Sequence, residues 1–204
     1  LDFVRTIRSG NYTMMSSEVL ENLFPIVFEK QQLRRDSGGA GKFRGGVGLE
    51  REYRVLTDTT ISVLGDHGFI PAAGLAEGQR GSPTRWHVKR HDNGEVEPVS
   101  PKFRTKGALG VRAGDVVRLL TPSGGGWGAA CERDVARVLD DVLDEKVSLD
   151  QARDLYGVVI DPRSMTVDEK ATAASRDALR AARKTTSIER GGELAFKAGM
   201  RVGW

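Results

Sequence analysis

Cysteine is all but absent: Cys131 is the only one in 204 residues, so no internal disulfide is available and packing alone must hold the fold. Histidine is nearly as scarce. His67, His87 and His91 form no His-x-His pair, and no clustered carboxylates have ligand spacing, so the pattern builds no metal site. His87 and His91 stand four residues apart, which along a strand is too far to share one ion. No apolar run reaches the roughly 18 residues of a membrane helix, and nothing has the make-up of a signal peptide. The cytoplasm is the expected compartment, with no membrane partner. Neither sign of charge dominates, since 31 Lys and Arg against 28 Asp and Glu leave a net charge of +3 with no long basic run. That balance argues against nucleic acid as a partner.

The chain is rich in glycine instead, with 25 residues of it. Six of these fall in the thirteen-residue stretch DSGGAGKFRGGVG (36–48), where Ser37, Gly38, Gly39, Gly41, Gly45, Gly46 and Gly48 lie among Asp36, Lys42 and Arg44. Glycine tolerates positive φ and lets a second backbone come close. Strand-like runs at 24–33 and 49–56 flank the stretch, so it reads as a shaped loop rather than a flexible spacer. Two readings are open. In one, backbone N–H groups and Arg44 hold a carboxylate, phosphate or carbonyl oxygen, with Asp36 orienting the arginine. In the other, Asp36 caps a turn and bonds Arg44 to staple the loop.

A second cluster, Gly124, Gly125, Gly126, Trp127 and Gly128, follows a strand and precedes a helix, the order of a phosphate-binding turn. It has neither a following Lys-Ser/Thr nor a Gly-x-Gly-x-x-Gly spacing, which excludes a Walker loop and a dinucleotide fingerprint. It reads as a tight corner from sheet to helix plugged by Trp127, or else as a contact to a substrate entrance or a partner subunit. His67, in Gly65-Asp66-His67-Gly68, is the best acid/base candidate among the histidines, although a surface or interface role is the favoured reading of it. Cys131 has no histidine near it in sequence and is expected to pack as a small apolar residue.

Periodicity predicts an α+β fold: a β-rich domain of short, mostly antiparallel strands followed by a helical C-terminal region. Strands are expected at 26–28, 49–56, 59–64, 86–89 and 115–120, with a hairpin through a type I′ Asn93-Gly94 turn. Gly10-Asn11 is a further turn signal, and 17–21 reads as a capped helical turn. Residues 132–146 place Val135, Val138, Leu139, Val142 and Leu143 on one stripe of a helix expected to dock on the strands. Ser148 with Gln151 caps a second helix that Gly157 ends, and Thr166 with Glu169 caps a third, alanine-rich one, read as a peripheral helix. The division expected is 1–130 for the β-rich region, 131–161 for a helical cap and 162–204 for a chain-specific tail.

The segments LRRDSGGAGKFRGGVGLEREYRV, AAGLAEGQRGSP, RAGDVVRLLTPSGGGWGAACERD and VSLDQARDLYGVVID occur in this order across roughly residues 18–161. Together they resemble the C-terminal region of the hydantoinase B/5-oxoprolinase family, which also includes ketone carboxylase large subunits. The resemblance implies an amide- or lactam-opening hydrolase, or a carboxylase, acting on a small amide, lactam or ketone. It implies that ATP with Mg and a divalent metal reside on other chains, and that this chain binds no cofactor. It further implies as partners the remainder of the B-type subunit and an A-type ATP-binding subunit. Because the chain starts at Leu1 rather than Met, it is expected to be the C-terminal part of a split, cleaved or separately encoded subunit, inactive alone. Two stretches depart from the family pattern, 14–17 and 66–70, and leave the substrate open.

Overall fold

The computed structural model describes residues 15–99 and 106–189. The expected Gly10-Asn11 turn and the end of the tail lie outside the described residues. The elements run α1 (Ser17–Leu23), β1 (Ile26–Arg34), β2 (Gly48–Val55), β3 (Thr59–Leu64), β4 (Arg85–Lys89), β5 (Val96–Pro98), β6 (Lys106–Val111), β7 (Val116–Leu120), α2 (Val135–Leu143), α3 (Leu149–Asp154) and α4 (Glu169–Glu189). Two antiparallel sheets followed by helices make this an α+β protein.

The larger sheet has the order β1-β2-β7-β4-β5, and β3 pairs with β6 in a second, two-stranded sheet. Strand alternation explains the layering. Along β2, Tyr53 and Val55 face inward together with the buried Arg51, whose guanidinium lies 4.5 Å over the Phe28 ring, and Glu50, Glu52 and Arg54 face outward, so one face of the large sheet is mainly apolar and the other charged. The apolar face meets the small sheet in a core of Val55, Val63, Val88, Val99, Val111 and Val117, bordered by Tyr53, Ile61, Trp86 and Leu109.

Three strand expectations need correction. β6 was not anticipated, because its sequence KGALGV has low strand propensity; register-matched pairing with β3 over all six residues overrides that. β1 runs on to Arg34 through a bulge between Phe28 and Lys30. The β4–β5 hairpin does not turn through type I′, since that turn needs positive φ at both central residues and Gly94 alone has it, at 72°. The loop instead closes through Gly94 N–H donating to Arg90 O and Arg90 N–H to Glu95 O.

The helices form a core of their own. Val138, Val142, Val147, Ala152, Tyr156, Val158 and Ile160 pack together with Ala40 of the first glycine loop, so α2 docks on that loop and on its helical neighbours rather than on the strand core. Leu143, expected on the buried stripe, is exposed because α2 ends there. Asp134 caps α2 and Ser148 caps α3, the latter as anticipated. After α3, Gly157 N–H donates to Arg153 O with Gly157 at φ 66°, the αL pattern that ends the helix, and Val158 N–H donates to Ala152 O. For α4 the cap is Asp168, whose carboxylate accepts from Ala171 N–H at 2.9 Å, and not Thr166. The helix is tied to its own chain: Thr172 Oγ1 accepts from Val159 N–H, and Arg176 donates to Tyr156 O.

Candidate functional site

Three loop segments, 36–48, 72–83 and 121–128, interlace at one end of the large sheet. Their backbones bond directly to one another. Gly39 N–H donates to Gly124 O, Gly124 N–H to Gly46 O and Gly126 N–H to Gln79 O, each at 2.9 Å. Gln79 N–H donates to Ala40 O, Leu75 N–H to Gly126 O, and Phe43 and Trp127 exchange a reciprocal pair. Glycine is required here for close approach. A Cβ on Gly39 would stand 2.6 Å from Gly126 N, one on Gly41 2.7 Å from Trp127 N, and one on Gly45 2.8 Å from Gly125 O. Each distance is shorter than carbon tolerates.

This weave corrects the expectations for the loop. Asp36 and Arg44 do not pair. Arg44 is buried and forms a bidentate ion pair with Asp141 of α2, Nε to Oδ2 at 3.0 Å and Nη2 to Oδ1 at 3.1 Å, while its Nη1 donates to Gly45 O. Arg133 reaches the same carboxylate at 2.9 Å. Asp36, half-buried at φ 60°, bonds the helical region instead: its Oδ1 accepts from Ser148 N–H at 2.7 Å and its own N–H donates to Lys146 O. The N–H groups of Gly39, Gly45, Gly124 and Gly126 are spent on carbonyls and Arg44 on Asp141, so these groups are committed within the fold. Ser37 takes part in the weave, its Oγ donating to Arg34 O and accepting from Gly48 N–H.

Trp127 does not plug the junction. It is 49% exposed, tilted against Phe43 at 5.6 Å between ring centres, and bridged to Leu75, itself 65% exposed. His67 is exposed at φ 58°, with Nδ1 3.0 Å from Ile70 O and its carbonyl accepting from Thr84 N–H. It faces neither Asp36 nor Arg44 in any bond. Sequence reasoning missed Arg133 and Asp141, and it named no site residue in 72–83. The glycines at 74, 78 and 81 were the available signal for that segment; for Asp141, it was a carboxylate beside the apolar stripe of a helix.

The sequence pattern of hydantoinase B/oxoprolinase matches residues 4–130, more than half of the chain and all three woven loops. The chain belongs to the hydantoinase B/oxoprolinase family. Its sequence is 37% identical over 162 residues to the beta chain of the caprolactamase of Pseudomonas jessenii, covering 79% of this chain and 28% of that one. The B-type chain of a putative D-/L-hydantoinase from Pseudomonas sp. (strain NS671) is 32% identical over 144 residues, 70% of this chain and 24% of its own. The chain thus spans about a quarter of the length of these relatives. Among solved structures, ATP-dependent caprolactamase from Pseudomonas jessenii superposes with a TM-score of 0.66 at 35% identity, over 79% of this chain and 28% of that one. Nucleotide-free acetone carboxylase superposes with a TM-score of 0.72 over 85% of this chain and 27% of that one, and at 23% identity it shares the fold.

Among the described residues no three His, Cys, Asp or Glu side chains gather around one point, and the N–H groups of Gly39, Gly45, Gly124 and Gly126 are bonded to carbonyls. No helix among the described residues is long and apolar enough to cross a membrane. The polar chemistry lies on the outer face of the large sheet. There Glu50 is 6% exposed and accepts from Lys30 at 3.0 Å, Gln32 at 3.1 Å and Arg118 Nε at 2.9 Å. Burial pushes its carboxyl upward, but the bonds and charges of Lys30 and Arg118 outweigh this and hold it below the ordinary carboxylate range.

Proposed function

We propose that this chain is the C-terminal portion of a B-type subunit in an ATP-dependent enzyme that opens a small amide or lactam ring or carboxylates a ketone. Its part is to supply a rigid wall and a contact surface, while ATP, Mg and a divalent metal are held by other chains. The observation carrying this reading is the three-loop weave inside the family-matched residues: it is bonded backbone to backbone and presents Trp127 and Leu75 outward. Exposed large apolar side chains on a rigid frame suit a surface covered by a partner. The three-way division of the chain, at 130 and 161, belongs to the same proposal.

A second reading makes the chain a non-catalytic assembly subunit. It is favoured by the use of Arg44 and the glycine N–H groups in internal bonds, which makes them structural. The test is the chain purified with the rest of its subunit and an A-type partner, assayed with a lactam, a hydantoin and a ketone in the presence of ATP. Trp127→Ala leaves the weave's backbone bonds intact. Reduced turnover with normal assembly supports the wall, lost assembly supports the structural reading, and full turnover with normal assembly overturns both.

A further inference from the structure

The inner face of the large sheet runs on past the small sheet that packs against its other half. Leu33 of β1, Leu49 and Arg51 of β2 and Leu119 of β7 share that face by strand register, and none of them enters the strand core. Arg51 stands out among them. It is 9% exposed, yet its Nε and Nη2 have no hydrogen-bond partner, whereas the equally buried Arg44 holds both oxygens of Asp141. The Phe28 ring, 4.5 Å from the guanidinium carbon, attracts the charge but offers no oxygen to the N–H fork. The acids of β2 cannot help, since Glu50 and Glu52 alternate onto the opposite face and are engaged there with Lys30 and Arg118. Burial pulls the Arg51 guanidinium below the ordinary arginine range, with Tyr53 working against it. A buried cation in this state is costly until a carboxylate joins it.

We propose that α1 and the β1–β2 part of this inner face dock the remaining portion of the B-type subunit, which sets an Asp or Glu carboxylate against Arg51. The inference rests on the reading of this chain as the C-terminal portion of such a subunit, in relatives of which it spans about a quarter. A carboxylate is the group that fits. Its two oxygens match Nε and Nη2, the geometry that Arg44 and Asp141 already show inside the fold. The aliphatic surround of Leu33, Leu49 and Leu119 suits a packed protein segment rather than a hydrated small anion, because an arginine enclosed by apolar side chains is a common anchor of protein interfaces. The exposed Gln31 and Leu33 side chains turn aside to admit it. Beside them α1 is tied to β1, with Ser17 Oγ donating to Gln31 Oε1 at 2.9 Å and Phe28 N–H to Glu21 Oε1 at 2.6 Å. No residue of α1 is buried, and Val19, Leu23 and the following Phe24 are exposed, so the helix extends the apolar surface. A helix of seven residues needs tertiary packing to persist. The first fourteen residues of this chain offer Asp2 against Arg5 and Arg8, a poor source of the negative charge.

The test uses the chain assembled with the rest of its B-type subunit, with the photo-crosslinking residue p-benzoylphenylalanine substituted at Leu33. After irradiation, mass spectrometry is expected to place the crosslink within a few residues of an Asp or Glu of that remainder. Crosslinks to an A-type subunit, to residues 1–14 of this chain, to a second copy of it or to nothing overturn the proposal. Arg51→Met adds a readout whose direction separates docking from internal support. Removing an unpaired buried cation should leave the melting temperature of the chain by itself unchanged or higher. The dissociation constant for the remainder should meanwhile rise about thirtyfold or more, as when a buried interfacial charge pair loses one partner. Arg51→Lys, which keeps the charge but not the fork, should fall between the two. A lower melting temperature in Arg51→Met with an unmoved dissociation constant makes the arginine an internal support and overturns the carboxylate contact; the crosslink decides if that variant fails to fold. A chain that does not assemble with the remainder at all overturns the C-terminal-portion reading and this surface with it. Assembly with crosslinks elsewhere overturns the surface alone.

Discussion

Asp141 shows how one side chain decides the state of the first glycine loop. Its carboxylate is 4% exposed and bonds both Arg44 and Arg133, which are 5% and 1% exposed. Removing one member of such a set strands buried charge, so Asp141→Asn is expected to cost about 3 to 5 kcal/mol. Asp36→Asn should cost about 1 kcal/mol or less, because an amide oxygen still accepts from Ser148 N–H and asparagine tolerates the left-handed backbone at Asp36. Urea unfolding of the two variants makes the comparison, and equal losses would refute the assignment of Asp141 as the brace.

Among the elements, the turn after α3 is the most exacting. Gly157 sits at φ 66°, and a Cβ there would meet Arg176 Cγ at 2.9 Å and Leu179 Cδ1 at 3.0 Å, so the glycine serves both the αL turn and the seating of α4. Gly94 has a similar φ of 72° but nothing within 4 Å of its Cβ position. Gly94→Ala therefore carries only backbone strain, about 1 to 2 kcal/mol. Gly157→Ala carries that strain plus a collision, and thermal melts should rank it clearly lower. Equal melting temperatures would mean that α4 yields without cost.

For the whole molecule, the displaced titrations of Glu50, Asp115 and His87 push stability one way on the acid side. Glu50 and Asp115 are held below the ordinary carboxylate range; in Asp115, burial works against this and is outweighed by the Arg112 and His91 N–H groups and by Arg90. A carboxyl with a depressed folded value contributes stability above its unfolded value and loses it as pH falls through the folded one. His87 is also depressed, so the unfolded chain takes up its proton first and folding weakens as pH drops below the ordinary histidine range. Denaturant melts should therefore show stability falling from neutral pH downward, first in the histidine range and then below the carboxylate range. A flat profile between about pH 7 and pH 3 would contradict these environments.

Local pattern carried the strands of the large sheet, the Ser148 cap, the Gly157 stop and the apolar stripe of α2, because alternation, capping and helical spacing are properties of neighbouring residues. The ordered glycine-rich segments likewise carried the family. What the local pattern could not carry was pairing at a distance. The Arg44–Asp141 pair spans 97 positions and the Ser148 N–H bond to Asp36 spans 112. Equally, the 36–48 glycines are needed because other backbones lie against them and not because their own φ demands it. β6 became a strand only because β3 lay ready to pair with it. Composition and periodicity thus determined which elements form, while partner choice across the fold decided which charges are neutralised, which glycines are irreplaceable and which buried arginine is left without an acid.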